Sequence, residues 1–209
     1  MASLFSRQAA APLALALATS TAGKKDAGQP MQPHVRRQKT GPLSFDLCPS
    51  KKVLKEHIGN LEPGHTWLYL TGGKWSNHQL LQFLLEKTGP ADVYATTWTI
   101  TEAPVRVMQQ LLDGGQMRSL TLLTDHRIKS RAPQAWQLMQ SLPAKVHLSK
   151  CHAKVTIAIG DVHGIVVVNS QNMTNNPRIE AGAIVFDRAA AEEMRDAILS
   201  EIQTPQLAK

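Results

Sequence analysis

From about residue 53 onward, apolar and polar positions fall into short blocks punctuated by glycine and proline. Residues 66–71 (TWLYLT) form a compact apolar run that Gly72-Gly73 breaks, which predicts a strand. Residues 77–87 carry Leu80, Leu81, Leu84 and Leu85 at helical spacing behind the favoured cap Ser76, and Gly89-Pro90 stops them. A β-rich run at 92–100 (DVYATTWTI) leads to a helix at 101–112, capped by Thr101 and ended by Gly114-Gly115. A strand at 119–124 (SLTLLT), a helix at 133–142 with Pro133 in its first turn, and a short strand at 145–148 follow. Two strands, 154–159 and 165–168, are joined through Gly160-Asp161-Val162-His163-Gly164 as a hairpin. After a polar loop at 170–177 come a last strand at 183–187 and a last helix at 189–202.

Alternation of strand and helix predicts a mainly parallel α/β sandwich, and near-continuous apolar strands predict a sheet covered on both faces. Residues 1–45 lack this periodicity. They are rich in Ala, Gly, Gln, Pro and basic residues and read as a flexible basic arm preceding a domain at 46–209. The Ala/Leu stretch at 9–18, behind Arg7 and ahead of the small residues 20–22, has the outline of a secretory signal, although Pro12 interrupts it. The compartment expected is cytoplasmic, or periplasmic or secreted if residues 1–22 are cleaved. No apolar run approaches the ~20 residues that span a bilayer, so no transmembrane segment is expected.

Charge changes the picture at two places. Residues 1–55 hold nine Lys or Arg and two acids, whereas residues 56–209 hold fourteen of each. The arm therefore carries the basic excess, suited to a polyanion or an anionic lipid surface, or simply to solubility. Within the body, Arg118, Arg127, Lys129, Arg131, Lys145, Lys150 and Lys154 gather between residues 117 and 160 against one acid, Asp125. Cys48 and Cys151 are too few for a disulfide framework and lack metal-ligand spacing.

Candidate chemistry concentrates in residues 150–182. Side chains two apart on a strand share a face, so His152 and Lys154 point the same way. A neutral imidazole can attack phosphorus, and an ammonium beside it can hold a phosphate oxygen. Ser170 and Asn172, again two apart, follow the partner strand of the hairpin, offering hydroxyl and amide donors to one anion.

His152-Ala153-Lys154, a short strand, a hairpin and Asn169-Ser170-Gln171-Asn172 together resemble the H-x-K and G-S-x-N-like elements of the phospholipase D superfamily. Residues 173–180 (MTNNPRIE) resemble the tail of that motif in bacterial and phage members. The resemblance covers about thirty residues closely. It implies a phospholipase D-like α/β/α sandwich with a mixed, mainly parallel sheet. It also implies a metal-independent, cofactor-free phosphodiesterase, a nuclease on DNA or RNA working through a phosphohistidine intermediate. His152, Lys154, Ser170 and Asn172 would form the site, with Glu180 orienting His152 through its other ring nitrogen. Family members use two such motifs. This chain has one motif and no internal repeat, which implies a homodimer with two sites facing across the axis. The family's Asp, a few residues after the Lys, falls on Ile159; Asp161 shares its parity but lies in the expected turn.

Other readings stand beside this one. A phospholipid-cleaving phospholipase D would use the same chemistry. A non-catalytic nucleic-acid-binding or structural module on the same fold would fit the loss of Asp at Ile159. Taken singly, His152 needs no role at a strand end, Ser170 and Asn172 are ordinary turn formers, and Trp75 and Trp98 belong in a core or rim as readily as against a base. Cys151, pointing opposite to His152, reads as a small buried apolar group.

Overall fold

The computed structural model describes residues 34–38, 54–175 and 178–204. The signal-like stretch, most of the basic arm, Cys48 and the Asn176-Pro177 pair lie outside the described residues.

Every predicted block is present with its ends moved by a few residues. The strands are β1 (His34–Gln38), β2 (His65–Leu70), β3 (Ala91–Thr97), β4 (Met117–Asp125), β5 (Lys145–Ser149), β6 (Val155–Ile159), β7 (Gly164–Asn169) and β8 (Ala181–Phe186). The helices are α1 (Asn77–Thr88), α2 (Glu102–Asp113), α3 (Ile128–Arg131), α4 (Pro133–Ser141) and α5 (Arg188–Gln203), with a π-helical turn at Leu54–Ile58. Gln79 reaches back to the Ser76 N–H at 2.9 Å, closing one of the free donors at the start of α1. Gly89, at φ 69°, ends that helix where a side chain would be strained.

One eight-stranded sheet runs in the order β1-β2-β8-β7-β6-β3-β4-β5. Residues alternate between its faces. Ala158 joins Val93, Leu120 and Leu122 beneath α1, α2 and α4, whereas Ile157, Ile159 and Val166 meet Ala191 and Ile198 of α5. Helices cover both faces, as an α/β/α sandwich requires. Among the described residues, no helix is long and apolar enough to cross a membrane.

The expected parallel majority is not found. Only β3–β4 and β4–β5 pair parallel; the other five pairings are antiparallel. The helical crossovers do send β2, β3, β4 and β5 in one direction. However, β8 and the β6–β7 hairpin insert between β2 and β3, and each opposes its neighbours. A second difference is β1, which lies inside the segment read as an arm and pairs antiparallel with β2. A polar edge strand (HVRRQ) held through its main chain has no apolar alternation to announce it.

Candidate active site at the carboxyl edge of the sheet

β6 runs against β3 and β7, so the residues leading into β6 meet the carboxyl ends of β3 and β7 at one edge of the sheet. A row of opposed residues crosses this edge. Tyr69 stands opposite Gly182, and Gly182 opposite Asn169. The Asn169 N–H donates to the Lys154 carbonyl at 3.0 Å. Lys154 precedes the Val155–Thr96 pair by one residue, which sets it beside Thr97, itself opposite Thr124. Opposed residues project from the same face, so Tyr69, Asn169, Lys154, Thr97 and Thr124 form a polar row on the face that carries α1. Gly182 is required in this row: a Cβ there would lie 2.6 Å from both the Tyr69 ring and the Asn169 Cβ.

His152 and Lys154 are together, on the segment that leads into β6. The Lys154 ammonium sits 3.1 Å from Nδ1 and 3.3 Å from Nε2 of His152 and donates to the His152 carbonyl at 2.7 Å. Lys154 is 9% exposed and His152 is exposed, so the imidazole stands at the rim and the ammonium beneath it. Burial pushes the Lys154 pKa down, and the nearby Cys151 and Glu180 oppose that shift. Trp98, just past β3, lies against His152 with ring centroids 5.5 Å apart.

Ser170 and Asn172 take other partners. The Ser170 hydroxyl donates to the Glu180 carboxylate and accepts from the Ala181 N–H at 3.1 Å. Glu180 therefore holds Ser170 rather than a nitrogen of His152, which corrects the role expected for it. β8 starts beside the end of β7, so Ser170 is the nearer group: its N–H donates to the Ala181 carbonyl at 2.9 Å. The Asn172 amide oxygen accepts from Thr97 Oγ1 at 3.4 Å. Among the described residues, neither Ser170 nor Asn172 bonds directly to His152 or Lys154. The link between the two halves is electrostatic, through Glu180 and Lys154.

Two pegs fix the Ser170–Met173 loop, and neither was read from the sequence. Asn77, fully buried in the first turn of α1, donates to the Gln171 carbonyl at 3.3 Å and accepts from Asn169 at 3.3 Å and Thr156 at 3.4 Å. Thr97 Oγ1 donates to the Thr99 carbonyl at 2.7 Å and accepts from the Met173 N–H at 3.0 Å. The available hint was a buried polar pattern, an Asn opening a Leu-rich helix and a Thr closing an apolar strand.

Ile159 is buried against α5, and Asp161 lies in the β6–β7 turn bound to Arg118; neither reaches the site. Arg118 accordingly serves the opposite end of the sheet, also contacting Asp92 at 3.2 Å. Lys145 opens β5 at that same far end. Cys151 is a buried free thiol on the α5 side, where it shares a cavity of about 300 Å³ with Val155, Met194 and Ile198; burial pushes its pKa up.

No family model and no curated protein sequence matches the chain. Among solved structures, the polyphosphate kinase from Porphyromonas gingivalis superposes on 69% of this chain with a TM-score of 0.51 and 10% sequence identity. The chain covers 27% of that kinase, about a quarter of its length. The likeness is one of fold, and the mixed α/β sandwich described above agrees with a phospholipase D-like architecture.

Proposed function

We propose that the chain is half of a metal-independent phosphodiesterase, most simply a nuclease, whose site is completed in a homodimer. The observation that carries the reading is the imidazole–ammonium pair, with the His152 ring nitrogens 3.1 and 3.3 Å from Lys154 Nζ at a solvent-facing rim. In this reading a His152 nitrogen attacks phosphorus and forms a phosphohistidine. Lys154 neutralises charge on the non-bridging oxygens. The second copy's His152 protonates the leaving oxygen and then takes a proton from the water that breaks the phosphorus–nitrogen bond. Ser170 supplies a neutral donor once substrate draws it from Glu180, and Asn172 supplies its amide N–H groups while its oxygen accepts from Thr97. Glu180 acts as a positioning residue for Ser170.

The test is cleavage of single-stranded DNA in EDTA by the full chain. Wild-type protein is expected to cut and His152→Ala to lose at least about a thousandfold, as removal of a nucleophile does. Equal cutting by both proteins would sink the assignment. One observation favours a second reading, a binding module that does not cut: Ile159 is buried where the family carries Asp. Salt-sensitive DNA binding without turnover, indifferent to His152→Ala, is the result that reading expects.

A further inference from the structure

Trp98 gathers three groups beside the proposed site. The Arg131 guanidinium lies 4.4 Å from its ring centroid, Arg127 lies 5.8 Å away, and His152 lies 5.5 Å away on a tilted ring. The two arginines are not equivalent. Arg127 is committed to the buried Asp125, with contacts of 2.6 and 2.9 Å to its two carboxylate oxygens. Arg131 is exposed and, among the described residues, has no carboxylate partner. Its guanidinium lies over the indole ring, and no side-chain hydrogen bond from it is made among the described residues.

That arrangement suits an anion. Two guanidinium groups share one ring, and among the described residues one carboxylate, Asp125, is paired with them. Stacking restrains Arg131, so less side-chain freedom is lost when it closes on a phosphate, and its planar fork can engage two phosphate oxygens at once. Its position limits which phosphate it can reach. Arg131 and His152 both touch Trp98, so they lie at most about 10 Å apart, comparable with the step between successive phosphates of an extended strand. The basic edge continues past them: Lys129 lies 5.3 Å from the Trp136 ring, and Lys150 is exposed two residues before His152.

The geometry points to Arg131, stacked on Trp98, as a docking point for the phosphate next to the scissile one in an extended single-stranded nucleic acid. This rests on the reading of His152 given above and names the substrate class of that site. A strand threaded along this edge places one phosphate on His152–Lys154 and its neighbour on Arg131, with the outer guanidinium face open to a base. A small diester reaches only the first position.

Steady-state cleavage of bis-p-nitrophenyl phosphate and of an oligothymidylate of about a dozen nucleotides separates the two positions. Arg131→Ala is expected to raise KM for the oligonucleotide about tenfold, leaving its kcat and both constants for the small diester unchanged. Fluorescence anisotropy of the labelled oligonucleotide, on protein carrying His152→Ala, gives a readout that needs no turnover. Adding Arg131→Ala is expected to weaken binding about tenfold and to reduce the salt slope by about one. Arg131→Lys should recover the salt slope but only part of the affinity, because it keeps the charge and loses the fork. Unaltered oligonucleotide binding in Arg131→Ala, or an equal loss on both substrates, would overturn the assignment. If wild-type protein cuts neither substrate, the cleavage reading fails, and the binding measurement still decides this one.

Discussion

At the scale of single residues, the polar row at the sheet edge depends on an absence, the missing side chain at position 182. Tyr69 crosses β8 where a methyl group would meet its ring at 2.6 Å and the Asn169 Cβ at the same distance. Gly182→Ala must therefore displace either the ring from the core it shares with Trp67 and Trp75 or the asparagine that braces the loop. Overpacking of this kind costs about 1–3 kcal/mol, so the urea midpoint should fall while the slope of the transition stays unchanged. A midpoint equal to that of wild type would mean the ring moves aside freely. The nearness of His152 and Lys154 was legible because it depends only on local backbone geometry. The partnership of Ser170 with Glu180, ten residues apart, was not: it depends on where β8 begins beside β7, a register that no local pattern states. The Arg131–Trp98 stack was hidden for the same reason, since it joins two crossovers of the sheet.

At the scale of elements, α1 links the fold to the site. Its leucines bury one face, its first residue Asn77 holds the Gln171 carbonyl, and its second residue, His78, is buried beside the Ser76 hydroxyl at 3.2 Å. Burial lowers the His78 pKa from 6.5 to about 4. Between those values the unfolded chain binds more protons than the folded one. The contribution of this group to stability is therefore complete above pH 6.5 and is lost as pH falls toward 4. The loss amounts to roughly 3 kcal/mol for an imidazole kept neutral over that interval. Denaturant titrations of wild type across this range should show the decline, and His78→Gln, able to keep a hydrogen bond to Ser76, should flatten it. A decline of equal size in the variant would place the titrating group elsewhere. Helix and strand limits were legible at this scale because glycine and proline mark them. Strand direction was misread because the alternation that predicts crossovers says nothing about a hairpin and β8 slotting between two crossover strands.

At the scale of the whole molecule, the proposed reading, with one motif per chain, makes activity a property of pairs. If each turnover needs a His152 from two copies, mixing wild type with His152→Ala should poison the pairs that form. After exchange of subunits at equal concentrations, activity is expected to fall to about a quarter of the unmixed wild-type value instead of a half, because only wild-type pairs retain two nucleophiles. A linear decline with the wild-type fraction would show that one chain suffices. The β6–β7 hairpin sets the character of whatever binds at this edge. β6 is buried along its whole length and lies in the middle of the sheet; His152 and Lys154 lead directly into it, and the Ser170 loop leaves from β7. The groups that would grip an anion are thus anchored to the part of the protein that opens last. An anion held there would meet a largely preformed mould: little ordering would be demanded of the backbone on contact, and a poorly shaped guest would be turned away instead of accommodated.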